Sequence, residues 1–267
     1  MSADTPAFET LSIEPVDEHV AIITLNRPDA SNALNTQMGR DLVRCFEDVA
    51  LDPKSLRCII LTGAGDKAFC AGGDLKERRG MTDEAWTRQH VIFERMVRAL
   101  IDCPVPIIGA VNGAAYGGGC EIAACCDFLY AAETARFALT EVTLGIMPGG
   151  GGTQTLPRAV GERRAKELIL TGKPFTAAEA REWSFVNEVF PLPELLPAAF
   201  ATASRIARNA PISVRQAKLS IHRGLQSSLR DGLALEIEAY NRMVPTEDRR
   251  EGVLAFNEKR PPNFKGR

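Results

Sequence analysis

The chain has 267 residues, 45% of them hydrophobic and 25% charged, with a net charge of −2. That is the composition of an ordinary globular protein, long enough for one large domain with an appendage. The slightly acidic balance excludes a global basic field built for nucleic acid or an anionic membrane, and no apolar run approaches the ~18 residues of a membrane span.

Seven cysteines (45, 58, 70, 103, 120, 125 and 126) include no CxxC pair. They read as reduced, buried thiols of a cytosol-like compartment. The opening stretch MSADTPAFETLSIEP carries acids and no apolar core, so it reads as neither a secretory signal nor an arginine-rich transit peptide. The expected location is cytoplasmic.

Val20 to Leu25 is a short apolar run stopped by Asn26-Arg27-Pro28-Asp29, a strand followed by a turn. From Leu34, the residues Met38, Leu42, Cys45, Phe46 and Val49 recur at helical steps until Asp52-Pro53. Cys58 to Leu61 is a second buried strand, and Thr62 to Asp66 turns the chain into Ala68-Phe69-Cys70-Ala71-Gly72-Gly73-Asp74. A helix from about Asp83 to Ile101 has Trp86, Ile92, Phe93, Met96, Val97 and Leu100 as its apolar face.

Ile107 to Gly152 is the most informative stretch. It runs from a buried strand, Ile107 to Val111, through Gly117-Gly118-Gly119 into a short helix, Gly118 to Cys126, then a second strand pattern and the run Gly149 to Gly152. Two carboxylates, Glu121 and Glu141, stand in surroundings too apolar for solvent-facing acids. A helix that begins at glycines leaves its first N–H groups bare, and Gly72-Gly73 can present bare donors in the same way. Two such loops supply two donors to one oxygen, with an acid or base alongside, which suits carbonyl chemistry. The plainer alternative stays open: glycines for close packing, and Glu121 as a first-turn charge favoured by the helix dipole.

Alternating strands and helices predict an α/β fold with buried strands, and no fixed-length repeat stands out. Beyond Gly152 the chain favours helix over Glu162 to Leu170, Ala177 to Trp183, Leu195 to Arg208, Ile212 to His222 and Leu229 to Met243. We expect a core over residues 1–190 and a helical region over residues 191–267. The closing KRPPNFKGR reads as a solvated basic tail.

Other chemistries lack their residues. The three histidines (19, 90 and 222) are scattered, so no metal site is expected. GxSxG, GxxxxGK[ST] and a GxGxxG after the first strand are all missing. Cys120, beside Glu121, reads as a packing residue rather than a nucleophile.

The motifs Ala68-Phe69-Cys70-Ala71-Gly72-Gly73-Asp74-Leu75, Ala110-Val111-Asn112-Gly113, Gly117-Gly118-Gly119-Cys120-Glu121, Cys126-Asp127 and Gly149 to Gln154 resemble the crotonase (enoyl-CoA hydratase/isomerase) superfamily. The similarity runs from about Val20 to Lys265. It implies a spiral of ββα turns with a helical carboxy-terminal region that assembles trimers or dimers of trimers. It also implies an oxyanion hole from the Gly73 and Gly118 N–H groups, catalytic Glu121 and Glu141, and substrate-binding positions at Ala71, Asp74, Leu75 and Gly117. Tyr240 and Lys259 match positions that complete a neighbour's CoA pocket, although a core tyrosine and a surface lysine fit the residues equally well.

The expected activity is hydration of a short or branched 2-enoyl-CoA, with no cofactor beyond the acyl-CoA substrate; enoyl-CoA isomerisation is the alternative within the family. Asp74 to Arg78, Met147 to Arg158 and Lys259 to Pro262 resemble the methylglutaconyl-CoA hydratase branch. In the run Lys76-Glu77-Arg78-Arg79, an arginine either meets a distal carboxylate of the substrate or faces solvent or a CoA phosphate. Some members of that branch bind AU-rich RNA through lysines on the first helix. Here that helix offers Arg40 and Arg44 among Asp41, Glu47 and Asp48, which argues against RNA as a partner.

Overall fold

A computed structural model describes residues 8–267. The reading of the amino terminus as free of a targeting signal falls in part on residues 1–7, outside the described residues.

An antiparallel pair, β1 (Leu11–Pro15) and β2 (Val20–Leu25), leads into helix α1 (Thr36–Leu51), whose first turn is capped by the Asn35 side chain accepting from Met38 N–H at 2.8 Å. The chain then makes three similar passes. β3 (Cys58–Gly63) turns into β4 (Ala68–Cys70), followed by helices α2 (Leu75–Arg78) and α3 (Asp83–Ile101). β5 (Ile107–Val111) turns into β6 (Ala114–Tyr116), followed by α4 (Gly118–Ala124). β7 (Phe128–Ala132) turns into β8 (Arg136–Ala138), and the 3₁₀ turn Glu141–Leu144 leads to α5 (Gly152–Val160) and α6 (Glu162–Thr171). β9 (Phe175–Thr176), α7 (Ala177–Glu182) and β10 (Glu188–Phe190) close the core.

The first strand of each pass joins a six-stranded sheet ordered β1-β2-β3-β5-β7-β10, parallel from β2 onward. The second joins a four-stranded sheet ordered β4-β6-β8-β9, parallel except for β8 with β9. Every residue of β3 and β5 is buried, as their unbroken apolar sequences require when both faces are covered. This is the spiral of ββα turns that the resemblance implied, within a mixed α/β fold. No fixed-length repeat marks it in the sequence because the connections differ, residues 71–106 after one pass and 117–127 after the next.

Two buried asparagines fix the turns between the sheets by substituting for backbone partners. Asn112 accepts from Gly63 N–H (3.1 Å) and donates to Gly63 O (3.0 Å) and Gly65 O (2.7 Å); Asn32 donates to Ala64 O (3.0 Å) and Ala68 O (2.8 Å). The positions of β4 and β6, and of the loops that follow them, are set from here.

The helical region divides. Helix α8 (Leu192–Ala207) buries Leu195, Ala199, Ala203 and Ala207 in the main core. Helices α9 (Pro211–Gly224), α10 (Leu229–Asn241) and α11 (Glu247–Glu258) leave Ile221, Leu225, Leu229, Leu233, Ile237 and Phe256 exposed.

The terminal tail is mostly exposed, as its composition predicts, but it is pinned to the body of the protein. Buried Asp248 accepts from Lys265 N–H (2.7 Å) and Gly266 N–H (2.8 Å), Arg57 donates to Phe264 O (2.8 Å), and Arg260 pairs with Glu251. Backbone N–H groups, which composition does not register, make this contact. No helix among the described residues is long and apolar enough to cross a membrane.

Candidate active site

Glu121 lies in the first turn of α4, as its place after the glycines predicts, and only 4% of it is exposed. Its Oε1 accepts from Gly150 N–H at 2.7 Å and Gly152 N–H at 2.9 Å. Burial pushes its pKa from 4.5 to about 7; the Gly152 and Gly150 donors oppose that rise, and the charge of Glu141 adds to it. The run Gly149 to Gly152 therefore clamps a carboxylate, a role the sequence did not reveal.

Glu141 opens the 3₁₀ turn after β8 and is also buried. Its Oε2 has no hydrogen-bond partner, and burial raises its pKa against the pull of its own backbone N–H and of Arg78. Its Oε1 lies 3.2 Å from where a Cβ on Gly117 would stand, at a residue whose φ is +50°. A side chain there would be strained and would crowd the carboxylate.

The two glycine loops meet. Leu34 N–H donates to Gly72 O (2.8 Å) and Asp74 N–H to Leu34 O (2.9 Å), holding the loop after β4 in place. Gly72, at φ +95°, has room for no side chain, since a Cβ would come within 2.7 Å of Tyr116 O in the neighbouring loop. A Cβ on Gly118 would stand 3.9 Å from Gly73 N, so these two residues are adjacent, and neither N–H has a backbone acceptor among the described residues. Two free donors thus converge beside two protonatable carboxyls.

All four residues line one cleft of about 560 Å³, together with Ala71, Leu75 and Gly117 from the sequence prediction. Asp74 is turned away: its carboxylate pairs with Arg27 at 2.9 Å and caps α2 by accepting from Lys76 and Glu77 N–H. Hydrogen bonding to those donors and to Arg27 keeps its pKa low despite some burial. Tyr240, 60% exposed, and exposed Lys259 lie outside the cleft of their own chain, so Tyr240 is no core residue.

The opposite wall was missed. Trp86, Phe93 and Met96 of α3, which read as part of an ordinary amphipathic face, and His90, which read only as a scattered histidine, face the cleft together with Arg78. Arg79 is exposed. The Cys120 thiol is raised well above its ordinary pKa by burial and by both glutamates, as suits a packing residue.

The pattern of the enoyl-CoA hydratase/isomerase family matches residues 16–267. The 2,3-dehydroadipyl-CoA hydratase of Escherichia coli K12 is 42% identical over 250 residues, 94% of this chain and 96% of that protein. The short-chain-enoyl-CoA hydratase of Clostridium acetobutylicum is 42% identical over 249 residues, 93% of this chain and 95% of that protein. The crystal structure of an enoyl-CoA hydratase from Bacillus anthracis superposes with a TM-score of 0.95 at 44% identity, covering 97% of this chain and 100% of that one.

Proposed function

This chain belongs to the enoyl-CoA hydratase/isomerase family, within the crotonase superfamily, and we propose that it adds water across the C2=C3 bond of a short or branched 2-enoyl-CoA to give the 3-hydroxyacyl-CoA. The observation that carries this reading is the meeting of Glu121 and Glu141 with the free Gly73 and Gly118 N–H groups in one cleft.

The thioester oxygen sits between the Gly73 and Gly118 donors. One glutamate, as carboxylate, takes a proton from water while the hydroxyl bonds to C3. The C=C electrons move toward the thioester oxygen, where the two N–H groups hold the developing negative charge; one such donor contributes ~2.7–4 kcal/mol. The other glutamate gives its proton to C2. Water is consumed, the pair keeps one proton with its location exchanged, and no resident cofactor is needed. Burial raises both carboxyls and the charge of Glu141 raises Glu121 further, which favours a pair that holds one proton.

The same pair can move a proton between C2 and C4, so isomerisation is a side activity open to this site. Methylglutaconyl-CoA hydratase remains the narrower proposal, resting on the resemblance of Asp74 to Arg78 and of Met147 to Arg158. Assembly as a trimer or dimer of trimers fits the exposed apolar faces of α9, α10 and α11, with Tyr240 and Lys259 offered to a neighbour's CoA. A cytoplasmic setting suits seven free cysteines.

The test is replacement of each glutamate by glutamine, which keeps size and removes acid–base capacity. Hydration of crotonyl-CoA falls ~10²–10⁴-fold in each variant. Near-normal turnover in both refutes the mechanism.

A further inference from the structure

We propose that the acyl end of this cleft receives an enoyl chain ending in a carboxylate, with Arg78 as its receptor and Gln89 as the residue that positions Arg78. The inference rests on the hydratase reading and names the substrate class for that site.

Arg78 ends α2, the helix that directly follows the loop carrying Gly73, so the segment that places an oxyanion donor also places a guanidinium. The side chain turns back into the cleft: Nη1 lies 3.2 Å from where a Cβ on Gly73 would stand. Its plane stacks on the Trp86 ring at 4.3 Å, with Phe93 at 5.7 Å. Only its Nε–H finds an acceptor, Gln89 Oε1 at 2.9 Å. Nη1 and Nη2 have no hydrogen-bond acceptor and no ion-pair partner among the described residues. The adjacent acid in sequence, Glu77, is already committed to Thr36 N–H (2.9 Å) and to Gln89 Nε2 (2.8 Å).

Gln89 is 3% exposed and its orientation is fixed by its own partners. Nε2 donates to Thr36 Oγ1 and to Glu77 Oε2, both at 2.8 Å, so the carbonyl must point at Arg78. Flipping the amide would set its oxygen against the Glu77 carboxylate and its NH2 against the Arg78 Nε–H.

A half-buried cation whose forked end is unpaired, in a wall otherwise made of Trp86, His90, Phe93 and Met96, is poorly suited to a plain hydrocarbon chain. That fork matches a carboxylate bidentately. Glu121 and Glu141 are the other charged groups facing Arg78 across the cleft. The competing role is therefore tuning of that pair, which would affect every substrate alike.

The test compares glutaconyl-CoA with 2-pentenoyl-CoA, five-carbon enoyl thioesters that differ at C5 as carboxylate against methyl, on the full-length enzyme. The wild type favours glutaconyl-CoA in kcat/KM, and its KM for that substrate rises more steeply with ionic strength than its KM for 2-pentenoyl-CoA, which shares the charged CoA phosphates. Arg78→Met lowers the glutaconyl/pentenoyl ratio about 10- to 100-fold, as loss of a charge-assisted pair demands. Arg78→Lys restores part of it, and Gln89→Leu raises KM for glutaconyl-CoA more than it lowers kcat. A wild-type preference for 2-pentenoyl-CoA, the same salt dependence of KM for both substrates, or equal losses on both substrates overturns the proposal while leaving the hydratase reading intact. Failure to hydrate any 2-enoyl-CoA refutes that reading, and the proposal with it.

Discussion

Glu121 is the place where chemistry and stability pull in opposite directions. Its carboxyl titrates near 4.5 when exposed and at about 7 in the fold, because burial disfavours the charge. Between those values the folded protein holds a proton that the unfolded chain has released, so stability falls as pH rises through the window and stays lower above it. At about 1.4 kcal/mol per pH unit, the ionised residue makes the fold about 3 kcal/mol less stable above pH 7 than below pH 4.5. Glu121→Gln removes that charge. Its amide oxygen still accepts from Gly150 and Gly152 N–H, and Oε2, where the amide nitrogen goes, has no hydrogen bond to lose. The variant is therefore expected to be inactive yet more stable at pH 8, by up to about 3 kcal/mol or roughly 5–10 °C in Tm, with the gain shrinking toward pH 4.5. Thermal unfolding of both proteins across that range, followed by circular dichroism, measures it. A pH-independent difference, or a destabilised variant at pH 8, refutes the claim that burial of the charge dominates.

How much of this was legible in sequence depended on how far each cause reaches along the chain. Val20 to Leu25 and Ile107 to Val111 declare themselves as buried strands because their apolar run is complete in five or six residues. The second sheet does not. Ala68–Cys70, Ala114–Tyr116 and Arg136–Ala138 are three residues each, too short for a period; Asn112 and Asn32 hold the first at Ala68 O, and pairing with their neighbours places the other two. Glu121 was legible because glycines and a helix start are local. Its clamp was not, since Gly150 lies 29 residues away and contributes only a backbone N–H. Likewise Lys76 to Arg79 looks like a solvated charge run. What sends Arg78 inward is an amide 11 residues further on, itself oriented by Thr36. Contacts that join distant segments through backbone atoms or oriented amides leave no local trace.

Further outcomes follow from the same contacts. Gly72→Ala forces a Cβ to within 2.7 Å of Tyr116 O and displaces the Gly73 donor, so kcat drops by up to about 10²–10³-fold with far-UV circular dichroism unchanged; full activity would show that this donor is not needed. Asp248→Ala frees the tail, lowering stability by about 2–3 kcal/mol and exposing residues after Arg260 to limited proteolysis; an uncut tail at unchanged Tm would contradict the clamp. On α1, Arg44 is close to Asp48 and Glu47 is held by Arg95, so AU-rich RNA gives no gel shift at physiological salt; a tight complex there would revive RNA binding. Assembly is the last expectation, and it rests on helix geometry. Leu229, Leu233, Ile237 and Tyr240 recur at four, four and three residues along α10, which sets them in one stripe, and all four are at least half exposed on their own chain. A stripe of that kind on helices this short is stable only when covered, and a second copy offers the same surface. Leu233→Glu with Ile237→Glu should therefore lower the mass seen by light scattering and, on the proposed assembly in which Tyr240 completes a neighbour's pocket, weaken acyl-CoA binding. A wild type that is monomeric and fully active at dilute concentration would remove both the stripe's partner and the need for one.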